Sequence, residues 1–125
     1  MIKKEQLSKF LVKAKKATYA AGGAAKKIVE ADKSTTLIFE EGDWRYQDNY
    51  FGGEPFGGRE VVFWRNEPIY IMVYYGLVDQ SVSDFEAIYK VLQTALGLVS
   101  VDSPFRGPKE YIEGDLTYKN SYSGG

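Results

Sequence analysis

A chain of 125 residues with no cysteine and no histidine cannot build a disulfide, a thiolate or imidazole metal site, or any nucleophile–histidine catalytic pair. Its 44% hydrophobic and 26% charged residues fit one globular domain, residues 1–125, with a single core. The net charge of −1 conceals a split: residues 1–33 carry nine Lys against Glu5, Glu30 and Asp32, a net of +6, and the remainder carries −7.

That split suits either an acidic partner or head-to-body self-association, the plain alternative being a solvated helix face. The Lys-rich stretch lacks interleaved Arg and exposed aromatic residues, which disfavours nucleic-acid binding. No apolar run approaches the ~18 residues of a membrane span, and the N-terminus has no apolar signal core, so the expectation is a soluble cytoplasmic protein. Ten Tyr residues lead a 15% aromatic content. They suit a sheet with a wet edge or an interface, or simply reflect the strand propensity of Tyr.

Residues 4–19 read as a helix with Leu7, Phe10, Leu11, Ala14 and Ala17 or Tyr19 on one face, ended by Gly22-Gly23. Residues 24–33 fit a loop with at most one turn, or a short helix. From residue 34 the period becomes two. Thr35–Glu40 is a strand, Glu41-Gly42-Asp43 a turn, and Trp44–Phe51 a second strand. Its alternation places Trp44, Tyr46, Asp48 and Tyr50 on one face. Gly52–Gly58 is a loop, after which Glu60–Trp64 and Ile69–Tyr75 pair around Arg65-Asn66-Glu67-Pro68. The latter strand is apolar on both sides, which predicts a central strand or one covered on both faces. Ser83-Asp84-Phe85-Glu86 reads as a capping box opening a helix to Leu96, with Phe85, Ile88, Leu92, Ala95 and Leu96 buried and Gly97 closing it. Ser103–Pro108 is a rigid loop, and residues 111–122 give a last strand.

This last segment repeats the earlier one. At an offset of 72, Glu41, Gly42, Asp43, Tyr46, Tyr50, Gly52 and Gly53 recur, seven identities between 41–53 and 113–125. The expected fold is therefore α+β: helix, four strands, helix, strand, with helices packed on an antiparallel sheet and an incomplete internal duplication. A shortened second copy leaves a sheet edge near residues 115–122 without its neighbour, and pairing with a second chain would cover it.

The stretches Leu7–Ala20, Glu41–Asp48, Tyr50-Phe51-Gly52 with Pro55-Phe56, and Pro104–Pro108 resemble a family of small bacterial and archaeal proteins known only as a domain of unknown function. Some relatives carry it behind a helix-turn-helix segment, which implies a sensor or oligomerisation role. This sequence has no such segment, so DNA binding is not carried over. Relatives continue past the position of Gly125 with a further strand pair. The resemblance implies no catalytic residues and no cofactor.

With histidine and cysteine missing, carboxylates are the general acid–base candidates. Asp48 among Tyr46 and Tyr50 fits a carboxylate of raised pKa or one that accepts a Tyr hydroxyl, and Asp43 beside Gly42 fits a turn. Arg106 fits an anion clamp or a loop tie to Asp43 or Asp115. No acidic spacing suits a calcium loop, and no metal is expected. The leading expectation is a non-enzymatic ligand-binding or regulatory module in which Asp43, Trp44, Tyr46, Asp48, Tyr50 and Arg106 meet a small polar ligand. The alternatives are a self-associating scaffold such as a homodimer, and a small hydrolase or isomerase using Asp43 or Asp48.

Overall fold

The computed structural model describes residues 2–18, 26–102, 104–121 and 123. Among them the chain forms two helices and seven strands, in the order α1 (Lys4–Ala17), β1 (Lys27–Val29), β2 (Thr35–Glu41), β3 (Trp44–Phe51), β4 (Phe56–Trp64), β5 (Glu67–Gly76), α2 (Phe85–Leu96), β6 (Glu110–Glu113) and β7 (Leu116–Lys119). The α+β class with an antiparallel sheet is as expected, with two more strands than the sequence pattern separates. The chain divides into two compact units, Gly23–Ser83 and Met1–Gly22 with Asp84–Gly125. No described helix is long and apolar enough to cross a membrane.

Gly23–Ser83 is a five-stranded antiparallel meander in which each strand pairs with its neighbour in sequence, β1-β2-β3-β4-β5. β1 replaces the loop expected over 24–33; Lys27, Ile28 and Val29 lie opposite Leu37, Thr36 and Thr35. Three residues are too few for alternation to be legible. Gly42, at φ +59°, makes the β2–β3 turn, a conformation that costs glycine little. Arg65 and Asn66 both take positive φ between β4 and β5, the arrangement of a tight two-residue hairpin loop. Arg65 is held there by its side chain: the guanidinium lies 4.3 Å from the centre of the Trp64 ring, and Nε pairs with Asp43 at 3.1 Å. Its backbone N–H also donates to the Asp43 carbonyl at 2.9 Å.

β4 begins four residues earlier than its apolar pattern suggests, because Gly57 and Gly58 belong to the strand. A Cβ on Gly58 would stand 2.3 Å from the Asn49 carbonyl oxygen and 2.6 Å from Tyr50 Cβ. Only glycine lets β3 and β4 approach so closely there. β5 is corrected more deeply. It is the edge strand of the sheet rather than a central one, and Ile71, Val73 and Tyr75 on its outer side are exposed. An apolar pattern on both faces is shared by covered strands and by strands that leave one apolar face open, so the pattern does not separate them.

In the other unit, Phe10, Leu11, Ala14 and Lys15 are the buried residues of α1, matching the expected stripe at three positions. The Lys15 ammonium donates to the Phe105 carbonyl, which lets a buried cation end on a hydrogen-bond acceptor. The proposed glycine cap at Gly22-Gly23 and the contact of Tyr19 lie outside the described residues. α2 is capped by Asp84, whose side chain accepts from the Ala87 N–H at 3.1 Å, rather than by Ser83. One residue of slip is all that separates the two assignments. Its buried stripe is Val91, Ala95 and Leu96, and Phe85 at the first turn is exposed. β6 and β7 form a separate two-stranded sheet, so the repeated segment makes its own hairpin instead of a lone last strand.

Candidate functional site

The inner face of the meander follows from register. In β3 the alternation starting at Trp44 sends Tyr46, Asp48 and Tyr50 to one side. Pairing then sets Val62 opposite Tyr46, Glu60 opposite Asp48 and Gly58 opposite Tyr50. On β5, Tyr70 lies opposite Val62, Met72 opposite Glu60 and Tyr74 opposite Gly58. Two carboxylates thus stand side by side in the sheet, with tyrosines in the flanking rows.

Both carboxylates are buried, as is Tyr46. The Tyr46 hydroxyl donates to Glu60 Oε1, and the Tyr74 hydroxyl donates to Asp48 Oδ1 at 2.6 Å. These are charge-assisted bonds of the kind that make such burial tolerable. Partial burial, reinforced by the charge of Glu60, pushes the Tyr70 hydroxyl up to about 12. Tyr50 is also raised, first by burial and then by the charge of Asp48, against a lowering hydrogen bond with Thr35. Tyr50 and Tyr70 therefore keep their protons at neutral pH. The face holds carboxylate oxygens to which tyrosine O–H donors are already turned.

Tyr46, Asp48 and Tyr50 come together as the alternation predicts, and Trp44 begins the same row, opposite Trp64. Asp43 turns instead toward Arg65 in a pair whose side chains are both more than half exposed. Arg106 belongs to the other compact unit, where it precedes the buried Gly107. Glu60, Tyr70 and Tyr74 complete the cluster and were missed by sequence reasoning. The signals existed: Glu60 is in phase with Val62 and Trp64, and Tyr70-x-Met72-x-Tyr74 alternates across a two-residue turn.

A second group sits at one end of the sheet. Arg45 lies 4.2 Å from the centre of the Phe63 ring. It joins Glu40, Asp43, Arg65 and Asn66 around a shallow depression of about 150 Å³. The two arginines are balanced there by two carboxylates. No group of three or more His, Cys, Asp or Glu side chains suited to a metal ion occurs among the described residues.

No curated protein and no solved structure matches the chain at a significant level. A family described as "Domain of unknown function (DUF5680)" matches residues 48–125, from Asp48 through β7, which includes Tyr50, Glu60, Tyr70 and Tyr74. With more than half of its length matched, the chain belongs to that family.

Proposed function

We propose that this chain is a non-enzymatic binding or regulatory module whose ligand site is the buried tyrosine–carboxylate cluster of the meander. One observation carries the reading: Asp48 and Glu60 face each other across β3 and β4, each receiving a tyrosine hydroxyl. Burying two adjacent carboxylates costs several kcal/mol relative to apolar residues of similar size, a cost more in keeping with recognition than with packing alone.

The same geometry narrows the ligand. Each carboxylate accepts a neutral O–H on one oxygen, and an incoming group would compete with that donor. A cationic N–H makes the stronger bond to a carboxylate, and the tyrosine rings offer faces that attract cations. The class is therefore a small amine or guanidine.

The test is a calorimetric titration of the protein with a panel of small primary amines and guanidines. A saturable heat for one of them, lost in Asp48→Asn and Glu60→Gln and retained or strengthened in Tyr74→Phe, is the expected outcome. Tyr74→Phe removes a competing donor, and so separates a site from a merely structural cluster. No heat across the panel, or binding unchanged in both carboxylate variants, refutes the reading.

A further inference from the structure

The two edges of the meander are built differently. β1 is three residues long and carries Lys27, the length and charge by which sheets discourage further pairing. β5 is ten residues long, and no other described strand is hydrogen-bonded to its far side. From Ile69 to Gly76 it contains no charged residue. Its Pro68 and the irregularity at Val62/Phe63 are confined to the strand's beginning.

The side chains along this edge are apolar and open to solvent. Ile71 is 62% exposed, Val73 77% and Tyr75 70%. Phe51, 51% exposed, continues the row through Gly57, which pairs with both Phe51 and Tyr75. We propose that β5 is a self-association edge: a second copy of this chain lays its β5 antiparallel against the first across a two-fold axis, extending the sheet.

Three features select a second copy. A two-fold contact brings a surface against itself and must be self-complementary. An uncharged run meets that condition in any register, since no like charges come opposite one another. Arg59, exposed and opposite Val73 on the same face, argues for pairing at the edge: stacking the faces would bury each Arg59 against its symmetry mate, whereas edge pairing leaves it in water. Size is the third feature. Taking ~150–250 Å² for a large side chain, the exposed fractions of Ile71, Val73 and Tyr75 leave on the order of 350 Å² per copy. Two such stripes supply at most about 700 Å², short of the roughly 1,000 Å² of a stable specific interface, so the dimer is weak and reversible. The strand suggested by the sequence repeat, Leu116–Lys119, is only four residues long and carries Lys119, and is the poorer edge.

Sedimentation velocity over a concentration series tests this with the full chain. The expected result is a monomer that converts reversibly to a dimer as concentration rises. Val73→Lys sets two like charges near the axis and should weaken association at least tenfold, whereas Val29→Lys on the opposite edge should leave it unchanged. Both positions are exposed, so far-ultraviolet circular dichroism should match the parent. A protein that remains monomeric to about 1 mM overturns the proposal. So does a dimer that Val73→Lys leaves intact, or one that Val29→Lys weakens equally.

Discussion

The hairpins β2–β3 and β6–β7 are built alike and used differently. Each turns on Glu-Gly-Asp with glycine at φ +59°. Glu41 pairs with Trp44 as Glu113 pairs with Leu116, and Phe39 with Tyr46 as Tyr111 with Tyr118. The seven identities at offset 72 fall on these corresponding positions where the structure describes them. What differs is the partner beyond the hairpin. β3 continues into β4 and buries Tyr46 and Asp48 against other side chains. β7 has no further strand among the described residues, and its polar groups close instead on the backbone of a loop. The Gly107 N–H donates to the Tyr118 hydroxyl at 3.1 Å, and Asn120 Nδ2 donates to the Gly107 carbonyl at 3.2 Å.

The comparison explains the exchange of Asp48 for Asn120. Asp48 receives a tyrosine hydroxyl and needs only acceptors. Asn120 faces a carbonyl and needs an N–H, which a carboxylate lacks. Gly107 is glycine for a related reason: a Cβ there would stand 2.6 Å from the Ala95 carbonyl oxygen, at the end of α2. Similar short patterns thus serve a side-chain cluster in one place and a loop backbone in the other.

The sharpest way to break this parallel is to remove the two tyrosine hydroxyls. Tyr46→Phe strips the donor from a buried Glu60 and should cost about 1–3 kcal/mol, the penalty for a buried group losing its partner. Tyr118→Phe removes an acceptor at a half-buried site where water can substitute, and should cost under about 1 kcal/mol. Chemical denaturation of both variants measures the gap; equal losses would mean that the two hairpins are held alike.

A smaller effect should restore the parallel. Gly42→Ala and Gly114→Ala meet no atom within 4 Å, so each carries only the cost of a left-handed alanine, about 1–2 kcal/mol. The two should agree within the error of the same denaturation experiment. A clear difference would show that one turn is strained by its surroundings.

The subtlest contrast is in alkali. Tyr70, folded, titrates near 12, above its value of about 10 in an unfolded chain. The protonated form is the one the fold favours. Its contribution to stability is full below about pH 10 and is lost as pH rises toward 12. Absorbance of tyrosinate should show a late-titrating component that disappears in Tyr70→Phe; an unchanged curve would remove Tyr70 from the buried cluster.

What could be read from the residues followed from local geometry. The β3 alternation and the Gly42 turn were legible because period and turn chemistry are properties of a few neighbouring residues. Glu60, Tyr70 and Tyr74 were not assembled with Asp48, because that step needs the register of three strands, and register depends on where turns begin to the residue. β5 was misread as covered for the converse reason: which strand ends a sheet is a property of the whole topology. Asp43 and Arg65, 22 residues apart, meet only because two hairpin tips lie at the same end of the sheet.

The hydrogen bond from Lys15 to the Phe105 carbonyl spans 90 positions of sequence, whereas every strand pair of the meander joins consecutive strands. A chain emerging from the ribosome can therefore zip the meander together hairpin by hairpin as each strand appears, with short loops to close. Helix α1 precedes the meander in sequence, yet the hydrogen bond from its Lys15 ammonium to the Phe105 carbonyl can form only once Phe105 has been added. A helix that leaves the ribosome before the meander thus gains this contact only after the meander is complete.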